Sequence, residues 1–227
     1  MVETLPTRAP ALGDQLAGVL REQIVRRKLQ PGVHLVEDAL AAQYDVSRGP
    51  VRDALRQLES QGLVESRRRG YYVVGLSRAD IDDLYELREA IELVAGAKAI
   101  VHATEEQLHA GRMIVEEMVS CADRSEADRF ADADMRFHAL LYLMCANSRL
   151  QDVWAAYEPV FASLMQLTVE EDIDLHPSAQ DHGRLLDLIE GGDVGALHAE
   201  LRTHLDGARS RMAHAVATLV TDVSEAS

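Results

Sequence analysis

Two groups of residues in this chain have types and spacings that could do chemistry. The first is a row of arginines, Arg48, Arg52 and Arg56, followed by the run Arg67-Arg68-Arg69. Side chains four apart leave one face of a helix, and a guanidinium can give two hydrogen bonds to O6 and N7 of a guanine in the major groove, or hold a phosphate. The plain alternative is a solvated charged face. The second group is made of histidines and an acid. Asp134 and His138 are four apart beside Phe130, Phe137 and Leu141, His182 shares a face with Leu185, Leu186 and Ile189, and His204 lies along Leu197, Leu201 and Ala208. Three imidazoles and a carboxylate on the inward faces of three helices could converge on one divalent ion. Spacing alone selects nothing, because Glu105/His109, Asp172/His176 and Glu200/His204 repeat the same interval. With 9 His and 38 acidic residues, chance alone gives about 1.5 such pairs. Each pair reads equally well as a helix-stabilising contact, and a single inward histidine as a satisfied core residue.

Two further residues stand out. Arg88 lies on the stripe Ile81, Leu84, Arg88, Ile91 and Ala95, so a charge sits on an apolar face and needs a partner. Glu92, one turn on, supplies one, and an effector carboxylate held by the guanidinium fork is the functional reading. Asn147 stands near a helix end, where it reads as a cap or as an effector contact. Tyr71-Tyr72 reads as strand packing.

The elements that must position these residues are legible in the pattern. Leu12, Leu16, Val19, Leu20 and Ile24 recur at helical spacing and end in Arg26-Arg27-Lys28 before Pro31-Gly32. The extended Val33-His34-Leu35, a short helix over 37–44, the turn Asp45-Val46-Ser47 and a longer helix to Gln61 make a helix-turn-helix. Ser47 is placed to cap that longer helix, and Pro50 is tolerated in its first turn. Gly62 stops it, and Leu63–Ser66 with Tyr71–Val74 predict a hairpin whose tip is Arg67–Gly70, the wing of a winged helix. Beyond Gly75 the pattern predicts six helices near 78–101, 105–122, 126–145, 149–170, 179–190 and 193–217. Starts are marked at Ser77/Asp80, Thr104/Gln107, Ser125/Asp128 and Ser178/Asp181.

Charge divides the same way. Residues 1–75 carry 11 Lys+Arg against 9 Asp+Glu, a net of +2, and residues 76–227 carry 12 against 29, a net of −17. An acidic body repels phosphate, so a nucleic-acid role belongs to the first third. Cys121 and Cys145 are too few for a disulfide framework and too far apart for a CxxC motif, which fits a reducing cytoplasm. No secretory h-region or membrane-length apolar stretch is present in the sequence.

The run from Pro31-Gly32 through Ser47-Arg48-Gly49-Pro50-Val51-Arg52-Asp53-Ala54-Leu55, with Leu58, Gly62-Leu63-Val64 and Gly70, resembles the winged helix of the GntR family of bacterial transcription regulators. The remainder is similar to the all-helical FCD effector domain of the FadR subfamily in Tyr85-Glu86-Leu87-Arg88 with Glu92, Asp134-x-x-Phe137-His138, Asn147, His182, Gly192-Asp193 and His204. Six helices after the wing resemble its VanR-like branch. The resemblance implies a mainly α fold: a winged helix-turn-helix DNA-binding domain over 1–75 and a helical effector-binding and dimerisation domain over 76–227. It assigns Ser47, Arg48, Gly49, Arg52, Arg67, Arg68, Arg69 and Gly70 to DNA, and Asp134, His138, His182 and His204 to a divalent metal. Arg88 and Asn147 fall to the effector. Two positions depart from the pattern. Asp38 stands where some relatives carry a basic DNA contact, and Gly49 stands where many have Thr, so an altered operator preference is expected.

The expectation is a cytoplasmic homodimeric regulator, a repressor rather than an enzyme, binding a pseudo-palindromic double-stranded operator. Its effector is a small carboxylate at a metal site, with Zn the expected ion and Ni or Mn the alternatives. A metal-free sensor of acyl ligands, or a metal-dependent hydrolase, are the competing readings.

Overall fold

The computed structural model describes residues 11–169 and 174–225, with side chains described as far as Leu219. The chain divides into two compact units, Met1–Gly75 and Leu76–Ser227.

In the first unit α1 (Leu12–Val25), β1 (His34–Leu35), α2 (Glu37–Gln43), α3 (Arg48–Ser60), β2 (Val64–Arg67) and β3 (Gly70–Val73) follow in order. Helix α1 packs on α3. Leu16, Leu20 and Ile24 on the one, and Val51, Ala54, Leu55 and Leu58 on the other, are buried. Each full aliphatic burial contributes about 1.5–3 kcal/mol, so this apolar seam holds α3 in place while its arginine row stays outside. The sheet is antiparallel in the order β1-β3-β2. Gly62, at φ +74°, turns the chain out of α3 into β2. The hairpin differs by a residue from the expected one: Arg67 pairs with Gly70, so the strands run one residue nearer the tip and the turn is Arg68-Arg69 alone. Ser47 occupies the cap position of α3 in extended conformation, yet its side chain makes no capping hydrogen bond.

The second unit is a bundle of α4 (Arg78–His102), α5 (Glu105–Arg124), α6 (Ala127–Met144), α7 (Ser148–Val169), α8 (His176–Gly191) and α9 (Val194–Glu225). Capping boxes form at Ser77/Asp80 and Thr104/Gln107, each with both reciprocal hydrogen bonds. The other two expected starts do not hold. Ser125 instead ends α5 in the left-handed conformation, with its own N–H on the carbonyl of Ala122 and the next one on Cys121, a helix-terminating pattern that leaves Glu126 ahead of α6. Helix α8 begins earlier than Ser178, because Pro177 suits a first turn and the Asp174 carboxylate takes the His176 N–H. Helix α4 packs along α9 and across α6, and α8 lies against both α5 and α9. Those contacts turn the inward faces of α4, α6, α8 and α9 toward one interior.

Candidate functional site

On the first unit, Arg48 and Arg52 are exposed at the start of α3, and each meets an acid of α2. Arg48 Nε lies 2.5 Å from Asp38 Oδ1, and Arg52 Nε donates to Glu37 Oε2 at 2.8 Å. The Glu37 carboxylate raises the Arg52 pKa further. Arg56 is 4.0 Å from Asp53 on the same helix. At the wing, the His34 ring stacks on Tyr72 with centroids 4.6 Å apart, and the Arg67 guanidinium lies 4.7 Å from the centre of the Tyr72 ring. Tyr72 is thus a packing residue between its neighbours on both flanking strands. Arg67 Nε also donates to Glu65 at 2.8 Å. Arg68 and Arg69 are exposed at the turn. The His34 Nε2 atom is 3.0 Å from the Arg69 carbonyl oxygen. A Cβ on Gly70, at φ +125°, would fall 2.8 Å from that same nitrogen, so the glycine admits the imidazole that holds the tip. His34 carries no motif that would have singled it out.

In the second unit the four expected metal residues are all buried; the three histidines form one cluster, and Asp134 lies against two of them, His138 and His182. The ligating atoms of His138, His182 and His204 lie within 4.8 Å of one another. His138 Nε2 is 3.4 Å from His182 Nε2. Two imidazole nitrogens bound at about 2.1 Å to one tetrahedral ion stand about 3.4 Å apart. Asp134, on the same helix face as His138, puts Oδ2 at 3.2 Å from His182 Nε2 and Oδ1 at 3.7 Å from His138 Nε2. Both its oxygens are buried and neither makes a hydrogen bond. A buried carboxylate is costly without a cation or donors, and imidazole nitrogens of His182 and His138 lie close to it, which suits a shared ion.

The far side of each ring is also matched. His182 Nδ1 lies 2.7 Å from the Ser178 carbonyl oxygen and donates to it, which leaves Nε2 with its lone pair toward the cluster. His138 Nδ1 lies 3.1 Å from Glu92 Oε1, and His204 Nδ1 lies 3.7 Å from Asp181 Oδ2. Such partners orient and tune metal-binding imidazoles. Burial pushes His204 down to about 4. Burial, reinforced by the Arg88 charge, also lowers His138, so both rings favour the neutral, ligating form. Burial opposes the charged form of His182 as well, but the Asp134 carboxylate outweighs it and raises the pKa. Asp134 itself is held well below the usual carboxylate range: burial works against this, and the His182 and His138 rings and Arg88 prevail.

Arg88 is buried and its Nε donates to Glu92 Oε1 at 2.7 Å, the partner one turn away that the sequence offers. The guanidinium sits among three rings, 4.9 Å from Phe161, 5.5 Å from Trp154 and 5.7 Å from Tyr85. Its Nη2 is buried and makes no hydrogen bond, as are and do Tyr85 Oη and Trp154 Nε1. Glu92 therefore links two features, one oxygen serving both Arg88 and His138. That double role, the aromatic surround and Asp181 were missed by sequence reasoning. In the sequence Arg88 alone explains Glu92, and a helix start explains Asp181. Asn147 takes the capping role: its Oδ1 accepts from the N–H groups of Arg149 and Leu150 at the start of α7. Tyr85 also lines an open cleft of about 290 Å³ beside Asp82, Glu86, Glu89 and Asp206.

Comparison with known proteins follows the same division. Residues 12–74 match bacterial regulatory proteins of the gntR family, and residues 83–207 match the FCD domain. The Gluconate operon transcriptional repressor of Bacillus subtilis is 30% identical over 175 residues, covering 77% of this chain and 71% of that protein. The HTH-type transcriptional repressor RspR of Escherichia coli is 32% identical over 141 residues, 62% of either chain. Among solved structures, E. coli McbR/YncC shares the fold with a TM-score of 0.67 at 19% identity, over 95% of this chain and all of that one. These relatives are transcription regulators and not enzymes, and no helix among the described residues is long and apolar enough to cross a membrane. The chain belongs to the GntR family of bacterial transcription regulators and carries an FCD domain behind its helix-turn-helix.

Proposed function

We propose that this protein is a cytoplasmic, homodimeric repressor whose affinity for a pseudo-palindromic operator is set by a small carboxylate, recognised at a divalent metal held by Asp134, His138, His182 and His204. One observation carries the reading: each of the three imidazoles has Nδ1 near an oxygen of the protein, Glu92, Ser178 or Asp181, the three rings form one buried cluster, and the Asp134 carboxylate lies against His138 and His182. Three imidazoles and a carboxylate suit Zn, with Ni or Mn as alternatives. When bound, such an ion supplies a Lewis-acidic position for a ligand oxygen. Arg88 supports the carboxylate class, since its buried Nη2 is a donor in want of an acceptor. The relative named for the gluconate operon is in keeping with that class, gluconate being a hydroxycarboxylate.

On the DNA side, Arg48 and Arg52 read base edges, Ser47 and Gly49 let the start of α3 approach a phosphate, and Arg67, Arg68, Arg69 and Gly70 present the wing to the backbone or minor groove. Val94 and Val101, exposed two turns apart on one face of α4, support pairing through the helical unit. The effector acts by binding one arrangement of the dimer better than another.

Titrating labelled operator with metal-loaded protein, in the presence of a panel of small hydroxy- and dicarboxylic acids, tests the proposal. At least one acid is expected to shift operator affinity by about tenfold or more, and the shift should vanish in His138→Ala/His182→Ala. Operator binding that no carboxylate alters, with the metal bound, contradicts the carboxylate reading and favours a scaffold role for the helical unit.

A further inference from the structure

The two arginines nearest the start of α3 are each met at Nε by a carboxylate from the first turn of α2. Exposed ion pairs contribute little to stability. These four side chains are all at least partly exposed, at 62% for Arg48, 63% for Asp38, 53% for Arg52 and 32% for Glu37. Two such pairs, side by side and both on the candidate reading residues, therefore call for a role other than holding the fold.

Their geometry supplies one. An arginine reads guanine with two parallel N–H groups, and a long side chain loses much rotamer freedom when it docks. A carboxylate at Nε fixes the plane of the guanidinium before DNA arrives and leaves the Nη1–Nη2 edge as the one that can span O6 and N7. The same carboxylate offsets the positive charge of an arginine that would otherwise settle on any phosphate. In helix-turn-helix docking the first helix crosses the sugar-phosphate backbone, where an acid repels unless its charge is matched. Neutralised reading arginines thus give up sequence-independent attraction and keep base discrimination.

We infer that Asp38 and Glu37 are specificity-determining residues, which hold Arg48 and Arg52 by Nε in a base-reading orientation and withhold them from phosphates. The inference rests on the proposed role of these arginines in base recognition.

The test uses the full-length protein, the duplex it selects from a random pool, and a scrambled duplex of equal length. Affinities are measured at several salt concentrations for Asp38→Ala, Glu37→Ala, Asp38→Asn, Arg48→Ala and Arg52→Ala, with thermal unfolding as a control on folding. Each acid-to-alanine variant is expected to bind the scrambled duplex more tightly and to lose about fivefold or more in the ratio of selected to scrambled affinity. Its salt slope on the scrambled duplex should steepen by about 0.9, one additional phosphate contact. Asp38→Asn keeps an acceptor for Nε without the charge, and should lose less of the ratio than Asp38→Ala while still gaining affinity for the scrambled duplex. If both duplexes gain affinity in parallel in the alanine variants, or neither changes, the acids act only by repulsion or not at all and the inference is overturned. If Arg48→Ala and Arg52→Ala leave the preference for the selected duplex intact, base reading by these arginines fails, and the inference falls with it for a distinguishable reason.

Discussion

Both units pair arginine with carboxylate, and they do so in opposite environments. In the first unit Arg48 and Arg52 meet Asp38 and Glu37 in solvent, where the pair is screened, cheap to break and able to exchange its carboxylate for a ligand. In the second, Arg88 and Glu92 are buried with side-chain exposures of 2% and 0%, and the chain of contacts continues through His138 and Asp134 to His182. There each charge depends on the next, and removing one strands its neighbours in a low dielectric. A surface that must meet many DNA sequences and release most of them benefits from exchangeable pairs. An interior that, on the proposed function, responds to one ligand benefits from a network that does not exchange with water.

The largest expected effect breaks that contrast directly. Glu92→Ala or Arg88→Ala leaves a buried charge alone and should destabilise the second unit by about 3–5 kcal/mol, read by urea unfolding. Arg88→Met/Glu92→Leu should recover most of the loss. Asp38→Ala, the matching change on the surface, should alter stability by less than about 1 kcal/mol. Equal losses at the two sites would show that burial is not what separates them. Next in size, Arg48→Ala or Arg52→Ala should weaken operator binding about tenfold or more at fixed salt, with unfolding unchanged. Unaltered binding in both would remove α3 as the reading element.

The reading of the fold from sequence went furthest where a repeating pattern or a local hydrogen bond decides. The apolar rows of α1 and α3, the Ser77 and Thr104 capping boxes and the turn at Gly62 are each set by residues within a few positions of one another. The starts placed at Ser125 and Ser178 failed because the same residue types serve another local purpose, a left-handed helix end in one case and a place inside the first turn in the other. In the interior, the inward faces of α6, α8 and α9 were legible from their apolar neighbours. Which histidines meet came from the family resemblance and not from spacing, since residues such as Asp134 and His182 are brought together only by packing between helices. The double contact of Glu92 and the ring surround of Arg88 are likewise products of tertiary structure, as is the clasp of His34 on the wing.

Smaller predictions sharpen the division of roles. Asn147→Ala removes the cap of α7 and should cost about 1 kcal/mol while leaving the response to effector intact. A lost response with unchanged stability would return Asn147 to the ligand site. The smallest effect concerns His176, which bridges Asp123 at 3.0 Å and Asp174 at 2.7 Å. Hydrogen bonds to Asp123 and then Asp174 raise its pKa above the ordinary 6.5. Its contribution is therefore fully present below about pH 6.5 and is lost as pH rises through the raised value in the folded protein. Stability profiles of the wild type and His176→Ala should differ at about pH 5.5 and converge at alkaline pH. A constant difference across that range would show that the bridge does not depend on the imidazole charge.

The central claim is that the buried cluster of the second unit is a metal centre on which the effector is recognised. Elemental analysis of protein purified without an affinity tag or chelator, beside the His138→Ala/His182→Ala variant, tests it most directly. About one transition-metal ion per chain in the wild type, lost in the variant, is the expected result. Wild-type protein that takes up no metal after dialysis against Zn, Ni and Mn would contradict it, and would leave Asp134 and the three histidines as a buried polar network of the core.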